Sequence, residues 1–329
     1  MHMHYSRQVS TAAATMLLLG GVIWIGINRF KTHPAPLRVT VLALSSSGRW
    51  LASGTSAGRI SVWDRERPEG LREISETHGP LNDLRFSPNE EQLAVASKNI
   101  TLIPVSELTS PQVLRDDQAN YGTARFTADG RSILTITGRG AIEAIEVATG
   151  KATLKGCCST IYGEVAFSPD DSLILSAGHW PAIWDFRSGV LVTRLTKTRE
   201  FLTFGPIMVD AARSLVYMGN QDGRVHVWDL QTRQRRLTSP PQPGYVSTIT
   251  VVGQTGWIAY AAFGDAVRIW NPETGENRLV AAARTTSNLL FDASSNLTVL
   301  GTDAGRVEFW DLIDSKIQRA LTPQRHSSR

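Results

Sequence analysis

A short sequence phrase recurs along this 329-residue chain, and this recurrence restricts the possible folds more than any other feature. Five β-rich runs end in Trp followed by Asp or Asn, and two degenerate copies fit between the first and second of them, at Ile103-Pro104-Val105 and Ala144-Ile145-Glu146. The seven markers then lie 39 to 44 residues apart, a period typical of the blades of a β-propeller. The five Trp residues are Trp63, Trp184, Trp228, Trp270 and Trp310.

A second landmark gives the same register independently. An apolar residue precedes each marker by 17 to 19 residues, and turn-forming residues come after it in several copies, as in Ser87-Pro88-Asn89. Each unit is therefore expected to form four strands, and the sequence predicts an all-β, seven-bladed propeller over residues 37–322. The landmark residues are Leu44, Phe86, Phe126, Phe167, Val209, Val252 and Phe291.

The two ends of the repeat region indicate how the ring closes. The first blade begins near Val39, and residues 316–321 supply an outer strand after Trp310, so every blade can come from contiguous chain. Strand exchange between the two ends is then unnecessary. We therefore expect the seam between blades one and seven to be held by side chains alone.

The repeat region resembles the WD-repeat family, whose units run from a Gly-His pair through Phe-Ser-Pro-Asp-Gly to a terminal Trp-Asp. The resemblance implies a propeller that serves as a binding platform, although a fold does not by itself define a function. The family's buried network of His, Ser or Thr, Asp and Trp is incomplete in this sequence, because only unit five places an Asp, Asp222, six residues before its Trp228. We therefore predict that apolar packing stabilises the blades, with the five Trp residues and Asp222 as the structural residues of the repeat.

The amino-terminal part of the chain predicts a membrane anchor. Residues 9–27 carry no charge, and a helix of this length measures about 28 Å, close to the hydrocarbon thickness of a bilayer. We expect a transmembrane helix over residues 9–28, and the lack of a small-x-small cleavage pattern favours a retained anchor over a cleaved signal peptide. The other segments are a tail at 1–8, a linker at 29–36 and a flexible tail at 323–329.

Two sequence features give opposite predictions for the side of the membrane on which the propeller lies. Arg29 and Lys31 come directly after the apolar segment and favour a cytoplasmic propeller. Amino-terminal anchors, however, usually export the domain attached to their carboxyl end, and large domains translocate largely regardless of charge. On balance, the sequence slightly favours an exported propeller.

Sequence motifs for catalysis or metal binding are not found. There is no G-x-S-x-G turn, the seven His residues are scattered, and the two cysteines are adjacent at Cys157-Cys158, which is not a metal-ligand spacing. The net charge of +4, from 34 basic and 30 acidic residues, is mild and spread along the chain, unlike a nucleic-acid-binding footprint. We predict no catalytic residue, metal site, cofactor or nucleic-acid partner.

An enzyme remains the alternative. Some quinone-dependent propeller dehydrogenases carry adjacent bonded cysteines, and Thr149-Gly150-Lys151 is faintly similar to their Thr-Gly turns. Those enzymes are larger and eight-bladed, and their ligands for the cofactor's ion are not recognisable in this sequence. Cys157 and Cys158 are therefore interpreted as two small apolar residues in a loop, and the sequence leaves their oxidation state open.

Four aromatic residues are candidates for a protein-binding face. Tyr121, Tyr162 and Phe204 stand at the start of the innermost strands of blades three to five, where the family usually has Val. Trp180 lies in a tight turn of blade four that opens on the same face. Converging aromatic side chains are typical of interface anchors, and packing between blades is the alternative interpretation.

These observations predict a non-catalytic, membrane-anchored platform for protein interactions. Its most plausible role is that of an accessory or scaffold subunit of a larger membrane complex, for example an energy-transducing one. Its partners are then other subunits of that complex, together with the bilayer around residues 9–28. The alternatives are a small-molecule-binding or quinone-cofactor-type propeller, and an exported soluble propeller released by signal cleavage.

Overall fold

A computed structural model describes residues 38–67, 71–74, 79–106, 108, 111–157, 164–168, 170–177, 181–196, 205–262, 266–281, 285–302, 304–314 and 316–321. The predicted transmembrane segment 9–28 lies outside these residues. Within the described part of the chain, no helix is long and apolar enough to cross a bilayer.

The described residues form seven antiparallel sheets of four strands each, and the four strands of a sheet are consecutive in sequence. Blades one to four contain β1 (Val39–Leu44), β2 (Trp50–Thr55), β3 (Ile60–Asp64), β4 (Leu71–Ile74), β5 (Asp83–Phe86), β6 (Gln92–Ala96), β7 (Ile100–Pro104), β8 (Gln112–Arg115), β9 (Arg125–Phe126), β10 (Ser132–Ile136), β11 (Ala141–Glu146), β12 (Ala152–Cys157), β13 (Val165–Phe167), β14 (Leu173–Ser176), β15 (Ala182–Asp185) and β16 (Leu191–Arg194). Blades five to seven contain β17 (Ile207–Asp210), β18 (Leu215–Gly219), β19 (Val225–Asp229), β20 (Arg235–Thr238), β21 (Val246–Val252), β22 (Trp257–Ala262), β23 (Val267–Trp270), β24 (Asn277–Ala281), β25 (Thr285–Asp292), β26 (Leu297–Thr302), β27 (Val307–Asp311) and β28 (Lys316–Leu321).

The blades are arranged as a closed ring. First strands contact one another in six of the seven pairs of neighbouring blades, and β1 contacts both β5 of blade two and β25 of blade seven. Blades three and four share a cluster of buried residues. The fourth strands carry mostly exposed side chains, as in β16, β20 and β28. First strands therefore lie at the centre of the ring and fourth strands at its rim, and the predicted all-β, seven-bladed propeller is confirmed.

The predicted register is also confirmed. Every landmark residue lies on the first strand of its blade, and every marker lies on the third strand. The two degenerate copies fall where the spacing places them, since Pro104 ends β7 and Ile145 lies in β11. The last strand, β28, covers Lys316–Leu321, so blade seven is built from contiguous chain, as blade one is.

The hydrophobic core lies between the blades. Seven clusters of buried residues each combine side chains of two neighbouring blades. The repeat Trp residues fill these junctions: Trp63, Trp228, Trp270 and Trp310 are buried, and Trp184 is partly buried. Because each sheet is covered on both faces near the axis, second and third strands such as β2 and β3 are buried along nearly their whole length.

Asp222 does not occupy a buried network. It lies in the turn before β19, its side chain is 45% exposed, and its Oδ1 accepts a hydrogen bond from the backbone N–H of Arg224 at 3.0 Å. Its six-residue spacing from Trp228 therefore marks a turn position rather than a contact with the buried indole. Trp228 instead packs in the apolar cluster between blades four and five.

Candidate functional site

Tyr121, the described member of the four predicted binding residues, is fully buried. Its hydroxyl donates to Asp117 Oδ1 at 2.8 Å and accepts from Arg115 Nε at 3.4 Å. Burial and the neighbouring Asp117 carboxylate raise the pKa of Tyr121 to about 12. A buried tyrosine needs such a partner for its hydroxyl, and Tyr121 finds it at the end of blade two. Tyr121 therefore packs between blades two and three and is not an exposed anchor, which corrects the expectation at this position.

The other three predicted binding residues, Tyr162, Phe204 and Trp180, lie outside the described residues. Their role in binding stays a prediction. Cys158 also lies outside, and for Cys157 the structure gives only its place at the end of β12.

The rim of blade four has an exposed apolar surface. Val190 is 61% exposed, and Leu191 and Val192 are each 36% exposed. These three residues, here called the blade-four edge, include the start of β16, the fourth and outermost strand of its sheet. Three consecutive exposed apolar residues on an edge strand form a surface that another extended chain can cover.

Other rims protect their apolar side chains with charge. On blade five, exposed Leu237 comes after Arg235 and Arg236 along β20. On blade seven, exposed Ile317 lies beside Lys316 in β28. Charged side chains on an edge strand discourage pairing with another strand. The blade-four edge carries no charge over residues 190–192, and β16 has its charge only at its last residue, Arg194, so this rim is the least protected of the three.

Charged residues also cluster on the inner strands of blades two to four. Arg85 Nε donates to Asp83 Oδ2 at 3.2 Å, and the same oxygen accepts from Thr123 Oγ1 at 2.7 Å and from the backbone N–H of Ala124 at 3.2 Å. Asp83 thus connects blade two with blade three. At the equivalent positions in blades five, six, seven and one, all residues except Asn288 are apolar: Pro206, Met208, Ile249, Val251, Leu290, Val41 and Ala43. The charges therefore occupy one side of the central channel.

The Arg85 side chain reaches towards the axis of the ring. Arg85 belongs to blade two and lines a cleft together with Leu290 of blade seven, which is not a neighbouring blade. Blades two and seven can meet only across the channel, so Arg85 lines it. The surrounding protein, with a smaller contribution from nearby Asp83, raises the pKa of Glu164 to about 7, and Arg85 partly offsets the shift.

The described residues contain no group of three or more His, Cys, Asp or Glu side chains that could hold a metal ion. The features described above are instead an exposed apolar edge and a group of charged side chains on one side of the central channel.

The charged residues of the channel and the blade-four edge can both be found in the sequence, although neither forms a local motif. When the seven units are aligned on their landmark residues, Arg appears one position before the landmark only in blades two and three. Acidic residues three positions before it occur only in blades two and four, as Asp83 and Glu164. The blade-four edge corresponds to Val190-Leu191-Val192, an uncharged apolar run at the start of an outer strand whose charge, Arg194, comes at its end. Comparing repeats with each other, rather than with a family pattern, therefore identifies these positions.

Comparison with known proteins finds sequence similarity to WD-repeat proteins. The family model described as "WD domain, G-beta repeat" matches residues 26–64. The chain is 22% identical over 246 residues to Periodic tryptophan protein 2 of Saccharomyces cerevisiae, an alignment covering 71% of this chain and 26% of that protein. It is 24% identical over 282 residues to Pre-rRNA-processing protein crb3/ipi3 of Schizosaccharomyces pombe, covering 84% and 56%.

A shorter stretch is more similar to a third protein. Over 55 residues, 17% of each chain, the identity to Target of rapamycin complex subunit wat1 of Schizosaccharomyces pombe is 36%. The chain spans about a quarter and about half of the lengths of the first two relatives. In sequence the chain is similar to WD-repeat proteins, and its described residues form a seven-bladed β-propeller.

Proposed function

We propose that this protein is a non-catalytic platform that holds other proteins in a larger membrane complex, with residues 9–28 as its anchor. A seven-bladed propeller offers seven rims and two faces to partners, which supports a role as a platform. One similar protein is by its name a complex subunit, which supports a role in an assembly. The apolar segment 9–28 supports the membrane location.

The exposed blade-four edge is the observation that carries this proposal. The outer side of β16 has no strand partner among the described residues, so its backbone N–H and C=O groups can pair with an added strand. The apolar side chains of Val190, Leu191 and Val192 would be covered at the same time, and burial of apolar area contributes about 25 cal/mol per Å². The occupant that fits is an extended segment of a partner protein, rich in apolar or β-branched residues.

A pair of lysine substitutions tests the edge. The double variant Leu191→Lys, Val192→Lys places two charges on β16, where they would oppose strand addition. The matched control is Leu237→Lys on β20, an exposed apolar residue already next to arginines. We expect the proteins that co-purify with the full chain in mild detergent to be lost from the double variant and kept by the control. Because the changed residues are exposed, folding stability should change by only about 0.5 kcal/mol per site.

Binding should then be repeated with the purified partner identified by mass spectrometry. Equal capture of that partner by the double variant and by the control would exclude the blade-four edge as the docking surface.

The membrane side needs a separate experiment. We propose that the propeller is exported, so protease added to right-side-out membrane vesicles should cut it. Protection in those vesicles, with cutting only after the membrane is opened, would place the propeller in the cytoplasm. An intact amino terminus, measured by mass spectrometry of the mature chain, would separate the retained anchor from a cleaved signal peptide.

A further inference from the structure

A cleft opens at one end of the central channel, where the turns between first and second strands of the blades lie. It has a volume of about 210 Å³ and lies between blades one, two and seven. Leu44, Leu290 and Phe291 supply apolar walls, and Ser45 and Arg85 supply polar groups. Pockets for drug-sized ligands typically measure about 300 to 1,000 Å³, so this cleft suits a single side chain better than a cofactor.

Arg85 presents unused hydrogen-bond donors in this cleft. Its side chain is half-exposed, and its Nε is committed to Asp83 Oδ2. Its two Nη groups have no hydrogen-bond partner among the described residues. The terminal nitrogens of a guanidinium can bind a carboxylate through two parallel hydrogen bonds, which are stronger than neutral ones. The guanidinium is thus positioned for an acidic ligand.

The acidic residues near the cleft already accept hydrogen bonds from other groups, or lie elsewhere. Asp292 is fully buried, with its Oδ2 2.6 Å from Arg65 Nη2 and its Oδ1 accepting from Ser294 Oγ at 2.6 Å. Glu90 of blade two accepts from Ser46 Oγ and Ser47 Oγ, each at 2.7 Å. Glu164 comes directly before β13 and three positions ahead of its landmark Phe167, whereas Arg85 comes one position ahead of Phe86, so Glu164 lies further from the turns at this end. Among the residues that line the cleft, Arg85 is the only cation.

The class of anion follows from the donors that the cleft supplies. The single positive charge of Arg85 is already shared with Asp83, and its two Nη groups can hold one carboxylate. A phosphorylated side chain carries about −1.5 to −2 at neutral pH and usually requires several basic groups. The apolar walls of Leu44, Leu290 and Phe291 suit the CH₂ groups of a longer acidic side chain.

We propose that this cleft binds a glutamate side chain on an extended segment of a partner protein, with Arg85 as the anchoring residue. The site lies at the channel mouth, away from the blade-four edge, and goes beyond the proposed function by adding a second contact of defined chemistry. It does not depend on strand addition at β16.

The test measures peptide binding to the full chain in mild detergent. The probe is the fluorescent, end-blocked peptide Gly-Leu-Glu-Leu-Gly, compared with twins that carry Gln or phosphoserine in place of Glu. We expect the Glu peptide to bind at least about tenfold more tightly than the Gln twin, as charge-assisted hydrogen bonds provide. Its binding should weaken at high salt, because the site is open to solvent.

Substitutions then assign the site. Arg85→Gln should weaken binding of the Glu peptide at least about tenfold, and Arg85→Lys should weaken it less, because lysine keeps the charge but loses the planar fork. The control Arg236→Gln removes an exposed arginine of blade five that also lies near a carboxylate, 3.8 Å from Asp229, and should leave binding unchanged. Thermal unfolding checks the fold of each variant.

Three outcomes would overturn the proposal: equal binding of the Glu and Gln peptides, unchanged binding by Arg85→Gln, or tighter binding of the phosphoserine twin. If Arg85→Gln does not fold, Arg85→Lys, which retains a cation beside Asp83, replaces it in the binding measurement. Unchanged binding of the Glu peptide by Arg85→Lys would then overturn the proposal. None of these results alters the expected effect of lysines at the blade-four edge. The cleft proposal and the edge proposal can therefore be refuted independently.

Discussion

Two junctions between blades use the same Arg–Asp chemistry but bury it to different extents. At the seam between blades one and seven, Arg65 Nη2 lies 2.6 Å from Asp292 Oδ2, with side chains 15% and 0% exposed. Between blades three and four, Arg125 Nη2 lies 2.9 Å from Asp171 Oδ1, with side chains 31% and 16% exposed. In each case the guanidinium also lies over a Phe of the neighbouring blade, Phe309 or Phe167. The seam has the more buried pair.

The apolar packing of the two junctions differs in the same direction. Seven buried residues form the described cluster at the seam, and four form the described cluster between blades three and four. The seam is also closely fitted: a Cβ added to Gly48, whose φ is +76°, would lie 2.3 Å from Ser294 Oγ. Blades three and four are neighbours in sequence, which limits how far they can separate, whereas blades one and seven are not. The seam must therefore be held by non-covalent contacts, and among the described residues its buried cluster is the larger of the two.

The largest expected effect is at the seam. Asp292→Ala leaves the buried Arg65 guanidinium without its carboxylate, and breaking a buried ion pair in this way costs about 3 to 5 kcal/mol. The matched variant Asp171→Ala removes a more exposed pair and should cost about 1 kcal/mol or less. Urea unfolding of both variants measures the two losses.

A double variant controls for the cause of the loss at the seam. Arg65→Met combined with Asp292→Leu removes both charges and should recover much of the stability, as replacement of buried pairs by apolar residues often does. Equal losses in Asp292→Ala and Asp171→Ala would mean that burial does not distinguish the two junctions.

The second prediction uses pH to separate blade five from the seam. His226 is buried, with its Nδ1 3.1 Å from Thr238 Oγ1, and burial lowers its pKa to about 4. Below pH 6.5 the unfolded chain binds a proton at His226 that the folded chain does not, so stability falls as the pH falls. His226 alone should contribute a loss of about 2 kcal/mol between pH 7.5 and pH 5, measured by urea unfolding at each pH as the difference between the unchanged chain and His226→Gln.

The seam should not contribute in this pH range. The pKa of Asp292 is lowered by hydrogen bonds from Ser294, Ser295 and Arg65, so its stabilising effect is lost only below about pH 3.8. Glu164 acts in the opposite direction, because its raised pKa lets the folded chain take up a proton between about pH 7 and 4.5. His226→Gln isolates the histidine: the variant should lose less stability between pH 7.5 and 5 than the unchanged chain, and an identical pH dependence would exclude His226 as the cause.

The third prediction concerns local opening. Because the junction of blades three and four has the smaller described cluster and the more exposed ion pair, amides of β14 and β15 should exchange with solvent faster than those of β26 and β27. We expect a difference of about tenfold, equivalent to about 1.4 kcal/mol in opening free energy. Hydrogen exchange followed by mass spectrometry resolves these strands, and slower exchange in β14 and β15 would reverse the order of the two junctions.

The repeat architecture could be predicted from sequence because its signal is local and periodic. Trp63, Trp228 and Trp310 lie on third strands at a regular spacing, and the apolar landmarks fix the first strands independently. The ion pair at the seam could not be predicted in this way, since Arg65 and Asp292 are 227 positions apart and belong to no shared motif. The repeat pattern places Tyr121 at the start of blade three, but its burial depends on Asp117, a partner that no family pattern supplies.

The smallest expected effect is at Asp222, the aspartate that its spacing from Trp228 selects. Asp222→Ala removes one hydrogen bond to the backbone of Arg224 from a side chain that is 45% exposed, so the loss should be within about 0.5 kcal/mol. Trp228→Ala provides the contrast within the same blade, because a buried Trp replaced by Ala costs about 3 to 5 kcal/mol through lost contacts and the cavity left behind. Measured beside Asp292→Ala under the same urea conditions, Asp222→Ala tests whether burial or repeat position decides the importance of an aspartate. A loss at Asp222 as large as that at Asp292 would show that repeat position decides it, and would place Asp222 in a network that its exposed turn does not provide.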